Sequence, residues 1–452
     1  MLNKSIFREN DIRGKLKDGE ITAKNIVLIT NAYVSFLKKR SIQKVIVGND
    51  GRSSSTLFQN IIVNELSNQG LIVFDIGLAL TPVIYFAQYH FESEGAISIT
   101  ASHNPSGWCG LKLSKSYSST FNSEDMLELQ LYFKSEISRE NGTPSAKGLI
   151  YEANIRDAYI NEILKYYPDK NMFKNKKVVL EFGNGASGLF AIEIFQKLGC
   201  IVYPLNCIPD IDNANYFPDP SKSESRKQLI QMLTQPYIKA DIGFCYDCDG
   251  DRLGVVDDTG KNLFGDQIIL LLSYLMDKSG CSPKVIVDIK IPPNIINEIG
   301  KYSQDIFTSN TGHSYIKKKL FETNSDIAGE KSGHIYIKKY HGYDDAILAS
   351  VELLKYINRN KLSDILKEIR VGNSIELRIP YTDNLFEIES RIYELLIELG
   401  FNKVSERNYI LGNDCIVIRP SSNMNEVSIN VNTCEQFMLD RLTELLRREF
   451  NI

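Results

Sequence analysis

At 452 residues the chain exceeds what one hydrophobic core organises, and ordinary domain sizes divide it into roughly three or four compact units. A hydrophobic content of 43%, a charged content of 24% and a net charge of -4 argue against nucleic acid as the main partner, so small anionic ligands need local positive sites. The longest apolar runs, such as Gln267 to Met276, fall far short of the roughly 20 residues that cross a bilayer. Eight scattered cysteines and an N-terminus without an apolar signal core make a reducing cytoplasm the expected setting.

In chain order, IFRENDIRG sets Arg8 and Arg13 on either side of Asp11, a pattern that by itself reads as a solvated arm. Apolar spacing at Ile26, Ile29, Tyr33 and Leu37 predicts a helix over Thr22 to Lys39. A Val-rich strand, KVIVGND, then runs into a turn at Gly51 to Ser54. The same unit returns as KKVVLEFGNGASG around Val178 and as PKVIVDIKIPPN around Val285: a lysine, a short branched strand, a polar loop and a helical pattern. Alternation with helical segments at Leu57 to Asn68, Leu189 to Leu198 and Gly265 to Met276 predicts mixed or mainly parallel sheets in three consecutive, similar α/β domains.

Turn-rich interruptions near Asn141 to Lys147, Asp257 to Lys261 and Arg370 to Asn373 place boundaries that give units 1–145, 146–256, 257–369 and 370–452. The last segment reads as strand (IELRIP), helix (Phe386 to Leu399), strands (YILG, CIVIRP, VSINVN) and a closing helix (Glu435 to Arg448), a small α+β unit.

Four stretches carry chemistry. In Ile97 to Lys112 a strand-like run delivers Ser102, His103, Asn104 and Pro105 to a loop, where α/β sheets place ligands, and Lys112 follows ten residues after the serine. Alone, a Ser-His pair on a loop also fits a turn that satisfies its own backbone. In DCDGDR the carboxylates of Asp247, Asp249 and Asp251 alternate behind a strand, suited to one hard cation through oxygen ligands and mutually repelling without one. Arg252 at the sixth position, where an EF-hand needs glycine, and a strand-like flank argue against an EF-hand, and the Cys245-x-x-Cys248 spacing has no second pair in reach to complete a zinc site. In GEKSGH, Glu330 and Ser332 offer groups suited to sugar hydroxyls, and the flanking glycines admit a close ligand. In RPSSN, Arg419 with Ser421, Ser422 and Asn423 is suited to clamp a phosphate, although a polar hairpin has the same composition. Of five histidines, His103, His313 and His334 lie in Gly- or Ser-bearing loops, which argues against a core role for all three.

Taken together, IFRENDIRG, VGNDGR, TPVIYFA, TASHNP, GNGASG, FPDPSKSE, DCDGDR, TGHSYIKKK, GEKSGH and RPSSN stand in one order along essentially the whole chain, and in that order it resembles the α-D-phosphohexomutases, most closely the bacterial phosphomannomutase/phosphoglucomutase branch. The resemblance implies four domains around a central cleft, each supplying one loop, and interconversion of hexose 1-phosphate and hexose 6-phosphate through a 1,6-bisphosphate that also serves as activator. It implies Ser102 as the phosphoserine, with Ser102, Asp247, Asp249 and Asp251 holding Mg2+. Glu330, Ser332 and His334 match the sugar-reading loop, and Arg419, Ser421, Ser422 and Asn423 the phosphate loop. Arg13, Lys112, Arg252, Lys290 and His313 match further cleft positions, and His103 accompanies the serine. The expected partner is a hexose phosphate, without nucleic acid or membrane, for a monomer or homodimer.

The chain departs from the family pattern at Asn430 and Asn432, where an arginine and a glutamate are usual, and at Cys109, where asparagine is usual. A phosphoglucosamine mutase is the nearest alternative, but Asn10 to Gly14 and Gly312 to Ser314 differ from its usual arm and loop. A sugar-phosphate-binding homologue without turnover, motivated by Asn430 and Asn432, and a metal-dependent phosphatase using the same serine are the readings from other classes.

Overall fold

Each lysine-led, Val-rich run becomes the central strand of its own sheet. In the first sheet Lys44–Asn49 lies between Ile72–Leu78 and Gly95–Ile99; in the second Lys177–Glu181 lies between Ile201–Leu205 and Ile242–Tyr246; in the third Lys284–Asp288 lies between Asp305–Ser309 and Ile327–Gly329. All six of these pairings are parallel. Branched residues suit such strands because both faces are covered, as in Lys44–Asn49, where Val45, Ile46 and Val47 are all buried.

In each unit the last parallel strand turns back through a loop into an antiparallel partner: Gly95–Ile99 into Trp108–Ser116, Ile242–Tyr246 into Leu253–Asp257, and Ile327–Gly329 into Ile335–Ile337. The three connecting loops carry Ser102, the aspartates and Glu330 to His334. Three of the four chemically marked stretches are therefore one topological loop, repeated. The sheets are mixed, as the alternation of strands and helices predicts.

The computed structural model describes residues 6–137, 146–214, 219–357, 360–369, 371–381, 384–412, 414–420, 426–433 and 435–452. Two sheets extend past the turn-rich boundaries. Ile150–Glu152 pairs with Ile72–Leu78, so the first sheet takes a strand from beyond residue 145. Asp257 to Lys261 is a hairpin turn that returns Asn262–Leu263 onto Leu253–Asp257, so the second sheet continues past residue 256. Turn composition marks a reversal of the chain but carries no record of whether the returning strand joins the same sheet.

Successive residues of Lys44–Asn49 face opposite sides: Val45 and Val47 pack with Tyr33 and Phe36, whereas Ile46 joins a second cluster that runs through Val83, Leu180, Phe244, Val287 and Ile347. One continuous core thus joins all three α/β units. The last unit is an antiparallel sheet in the order Asn373–Pro380, Glu426–Thr433, Asp414–Pro420, Asn408–Leu411, Asn402–Lys403, with the helices Leu385–Glu398 and Gln436–Phe450. Its core, built on Ile379, Ile392, Ile416 and Leu442, is separate.

Candidate active site

The serine loop is held from below. Ser102 is buried and has φ +50, the left-handed region that a residue with a Cβ enters at a cost of about 1–2 kcal/mol. Arg52, fully buried, offsets that cost. Its guanidinium donates to the carbonyls of Ser102 at 2.9 Å, Asn104 at 2.7 Å and Pro105 at 2.9 Å, while Asp50 compensates its charge at 2.9 Å. Arg13 donates to Asn104 Oδ1 at 2.7 Å, which brings the N-terminal arm against the same loop. Ser102 Oγ lies 3.2 Å from His103 Nδ1. Burial and the charges of Arg252 and Arg13 hold that imidazole well below its ordinary value, so it is neutral at pH 7.

Ser102 Oγ also donates to Asp247 Oδ2 at 3.0 Å. Asp247, Asp249 and Asp251 are fully buried, and each contributes a carboxylate oxygen to a group whose members lie within 4.8 Å of one another. Gly250, at φ +71, makes the reversal that aims all three inward. The N–H groups of Asp251 and Arg252 donate to Asp247 Oδ1 at 3.2 and 3.1 Å. Thr81 and Lys112 both donate to Asp249 Oδ2 at 2.7 Å, and Lys112 also reaches Asp251. Among the described residues, Asp249 Oδ1 has no hydrogen-bond partner. Burial and the neighbouring charges of Asp251 and Asp249 push Asp247 well above the usual carboxylate range. Three buried carboxylates, one with an unpartnered oxygen, beside a hydroxyl form a donor set of the kind that Mg2+ accepts.

The Glu330 to His334 loop closes over the aspartates. His334 Nε2 lies 3.2 Å from Asp251 Oδ1 and its Nδ1 3.2 Å from Glu330 Oε2; burial opposes its charge, but Asp251 and Glu330 outweigh burial and raise it to about 10. Ser332 Oγ donates to Glu330 Oε2 at 3.1 Å and lies 2.8 Å from His334 Nδ1. Gly265 backs the loop so closely that a Cβ there would stand 2.1 Å from the Glu330 carbonyl oxygen.

Of the remaining expected residues, Arg252 reaches toward the centre, 3.8 Å from both Asp247 and Asp219. His313 is buried and lies 2.6 Å from Thr120 Oγ1. All three loop histidines are engaged by polar partners, and His313 and His334 are nevertheless buried. Lys290 is exposed at the turn after its strand, and Arg419 donates to the Ile289 carbonyl beside it. Ser421, Ser422 and Asn423 lie outside the described residues. Sequence reasoning assigned no role to Arg52, Thr81 or Asp219. Arg52 had a signal, since it closes the Asp-Gly-Arg turn after the first central strand; Thr81 and Asp219 become site residues only through pairings across the fold.

The chain matches the models for Phosphoglucomutase/phosphomannomutase alpha/beta/alpha domain I over residues 4–140, domain II over 157–260 and domain III over 264–371. A phosphomannomutase/phosphoglucomutase of Pseudomonas aeruginosa is 34% identical over 358 residues, covering 79% of this chain and 75% of that protein. The chain belongs to the phosphoglucomutase/phosphomannomutase family. Within the family, a phosphoglucomutase of Neisseria gonorrhoeae is 29% identical over 412 residues, covering 90% of this chain and 86% of that protein. A Burkholderia thailandensis phosphoglucomutase/phosphomannomutase family protein has a solved structure that superposes with a TM-score of 0.82 at 26% identity, covering 99% of this chain and 97% of that one. A phosphomannomutase structure from Thermus thermophilus shares the fold, with a TM-score of 0.80 at 19% identity, covering 98% of each chain.

Proposed function

We propose that this family member is a phosphohexomutase of the phosphomannomutase/phosphoglucomutase type, working through a phosphoserine at position 102. The observation that carries the reading is the 3.0 Å approach of Ser102 Oγ to Asp247 inside a buried group of three carboxylates. Lys112 and His334 compensate Asp249 and Asp251, and a bound cation would offset the cost of burying Asp247 beside them. Mg2+ bound there supplies charge stabilisation for the phosphoryl group beside Ser102. Among the described residues, no helix is long and apolar enough to cross a membrane.

In the forward half, the phosphoryl group leaves Ser102 Oγ for the free hydroxyl of a hexose monophosphate, giving a 1,6-bisphosphate and the serine hydroxyl. In the return half, the bisphosphate turns over, its other phosphoryl group passes to Ser102, and Ser102 loses its proton. His103, neutral and 3.2 Å from Ser102 Oγ, is placed to exchange that proton. Lys112, buried but raised by Asp249 and Asp251, and His334, raised by Asp251 and Glu330, stay charged, so they act as fixed positive charges and donors rather than as bases. Arg13 and Arg252 flank the serine loop. Arg419, on the last unit with Lys290 opposite, holds the phosphate that is not reacting, and the bisphosphate serves as activator by restoring the phosphoserine.

Coupled assays on mannose 1-phosphate, glucose 1-phosphate and glucosamine 1-phosphate decide the class. Turnover of the first two, with phosphate mass on the intact protein that Ser102→Ala removes, is the expected result. Turnover of glucosamine 1-phosphate alone sinks the proposed type. Binding without turnover selects a homologue that has lost catalysis, the reading Asn430 and Asn432 motivate. Steady release of inorganic phosphate from a bisphosphate selects a phosphatase.

A further inference from the structure

Asp288 ends the central strand of the third sheet, between two parallel neighbours whose own ends feed site loops. Its pairing partner is Ser309 on one side, and Val287 pairs with Gly329 on the other. The carboxylate is buried, with Oδ1 accepting from the Lys290 N–H at 3.2 Å and Oδ2 accepting from Thr311 Oγ1 at 3.0 Å. It also faces the Lys331 N–H. One side chain therefore touches the turn of Lys290, the loop that precedes His313, and the Glu330 to His334 loop. Glu330 adds a second tie, accepting from the Gly312 N–H at 3.2 Å. The fourth unit lands on the same turn, through the bond from Arg419 to the Ile289 carbonyl.

We propose that Asp288 is the positioning residue of the substrate-binding half of the cleft, setting the mutual register of the loops that carry Lys290, His313 and Glu330 and the turn on which Arg419 docks. Burial and the charge of Glu330 push its carboxyl up to about 6, so an acid is kept here against an electrostatic cost that packing alone does not require. Three short loops without regular hydrogen bonding need an acceptor at their common root, and a carboxylate offers two oxygens at once. His334 keeps its own tie to Asp251, so removal of Asp288 loosens the grip on the sugar phosphate more than it disturbs phosphoryl transfer.

The substrate in this inference rests on the mutase reading; the loop geometry does not. In the full chain, Asp288→Ala is expected to raise KM for glucose 1-phosphate and mannose 1-phosphate about tenfold or more, the loss of a charge-assisted hydrogen bond, with a much smaller change in kcat and unchanged phosphate on Ser102. Hydrogen exchange, read without any substrate, is expected to rise in 311–313 and 330–333 as well as in 289–291. Asp288→Asn keeps the shape but only one acceptor oxygen and no charge, so it is expected to restore part of the exchange protection and part of KM, between Ala and wild type. A rise confined to 289–291, an unchanged KM, or an Asn variant as impaired as Ala overturns the proposal. If Asp288→Ala does not fold, the Asn variant alone decides: partly reduced protection in all three segments supports the tie, and a loss confined to 289–291, or none at all, overturns it. A wild-type chain that turns over no hexose phosphate overturns the mutase reading, while the exchange experiment still judges the tie.

Discussion

Ser102 Oγ and Asp247 Oδ2 stand 3.0 Å apart although 145 positions separate them in the chain. The contact joins the equivalent loops of two successive sheets, and their shared core fixes its distance.

Chelation is expected to abolish mutase turnover and Mg2+ to restore it. Mg2+ at a hundredfold excess over Kd adds about 2.7 kcal/mol to the stability of the wild type and much less to Asp249→Asn. In chelator the sign reverses for Asp247. Its folded pKa is raised, so its stabilising contribution is complete below the unfolded value near 4 and disappears as pH rises. Asp247→Asn is therefore expected to be more stable than wild type in chelator at pH 7 and nearly inactive, as thermal melts and assays on the same samples would reveal.

Arg52→Ala is expected to cost about 3–5 kcal/mol, because Asp50 is left as an uncompensated buried charge and three loop carbonyls lose their donor. Arg52→Lys recovers only part of that, since a single ammonium cannot reproduce the planar fork. Denaturant melts measure the stability. With Ser102 as the proposed phosphoserine, phosphate mass on the protein measures whether the loop still works; full retention in Arg52→Ala would show that Arg52 does not set the loop.

His334 has a folded value near 10 against an ordinary 6.5, so its stabilising contribution is complete below about 6.5 and declines as pH rises through 10. Melting temperature is expected to fall across that alkaline window in the wild type and to fall less in His334→Asn. The same variant is expected to lose kcat at pH 7. Parallel melting curves for the two proteins between pH 7 and 10 would remove the charged histidine from the account.

Arg419→Ala is expected to weaken hexose phosphate binding by roughly 1.5–3 kcal/mol, about 10- to 100-fold in KM, while Ser102 is still phosphorylated by a bisphosphate. Its guanidinium already reaches the Ile289 carbonyl beside Lys290, which sets it at the turn that faces the ligand. A kinetic comparison across substrate concentrations distinguishes this from loss of kcat.

What the sequence makes legible is what repeats locally. The three lysine-led strands stand out because branched residues cluster within five or six positions, and the helix Ala23–Lys39 because Ile26, Ile29, Tyr33 and Leu37 recur at helical spacing. The aspartates and Ser102 are legible because their chemistry is compressed into short loops. Partners across the fold are not legible. Thr81 reaches Asp249 over 168 positions, and Arg52 reaches the serine loop over about 50, without any local periodicity to announce either. The return of Ile150–Glu152 to the first sheet and of Asn262–Leu263 to the second escapes notice because two- and three-residue strands carry too few residues to alternate.

The unbroken core beneath the first three units has a genetic consequence. Since Val83, Leu180, Phe244 and Ile347 belong to one packed body, a lesion far from any loop displaces the serine relative to the aspartates. In a saturation screen for loss of function, damaging alleles in the first 369 residues should be scattered through buried positions of every sheet, whereas those in the last 80 or so should partition into a group that spoils folding of that unit alone and a smaller one at Arg419.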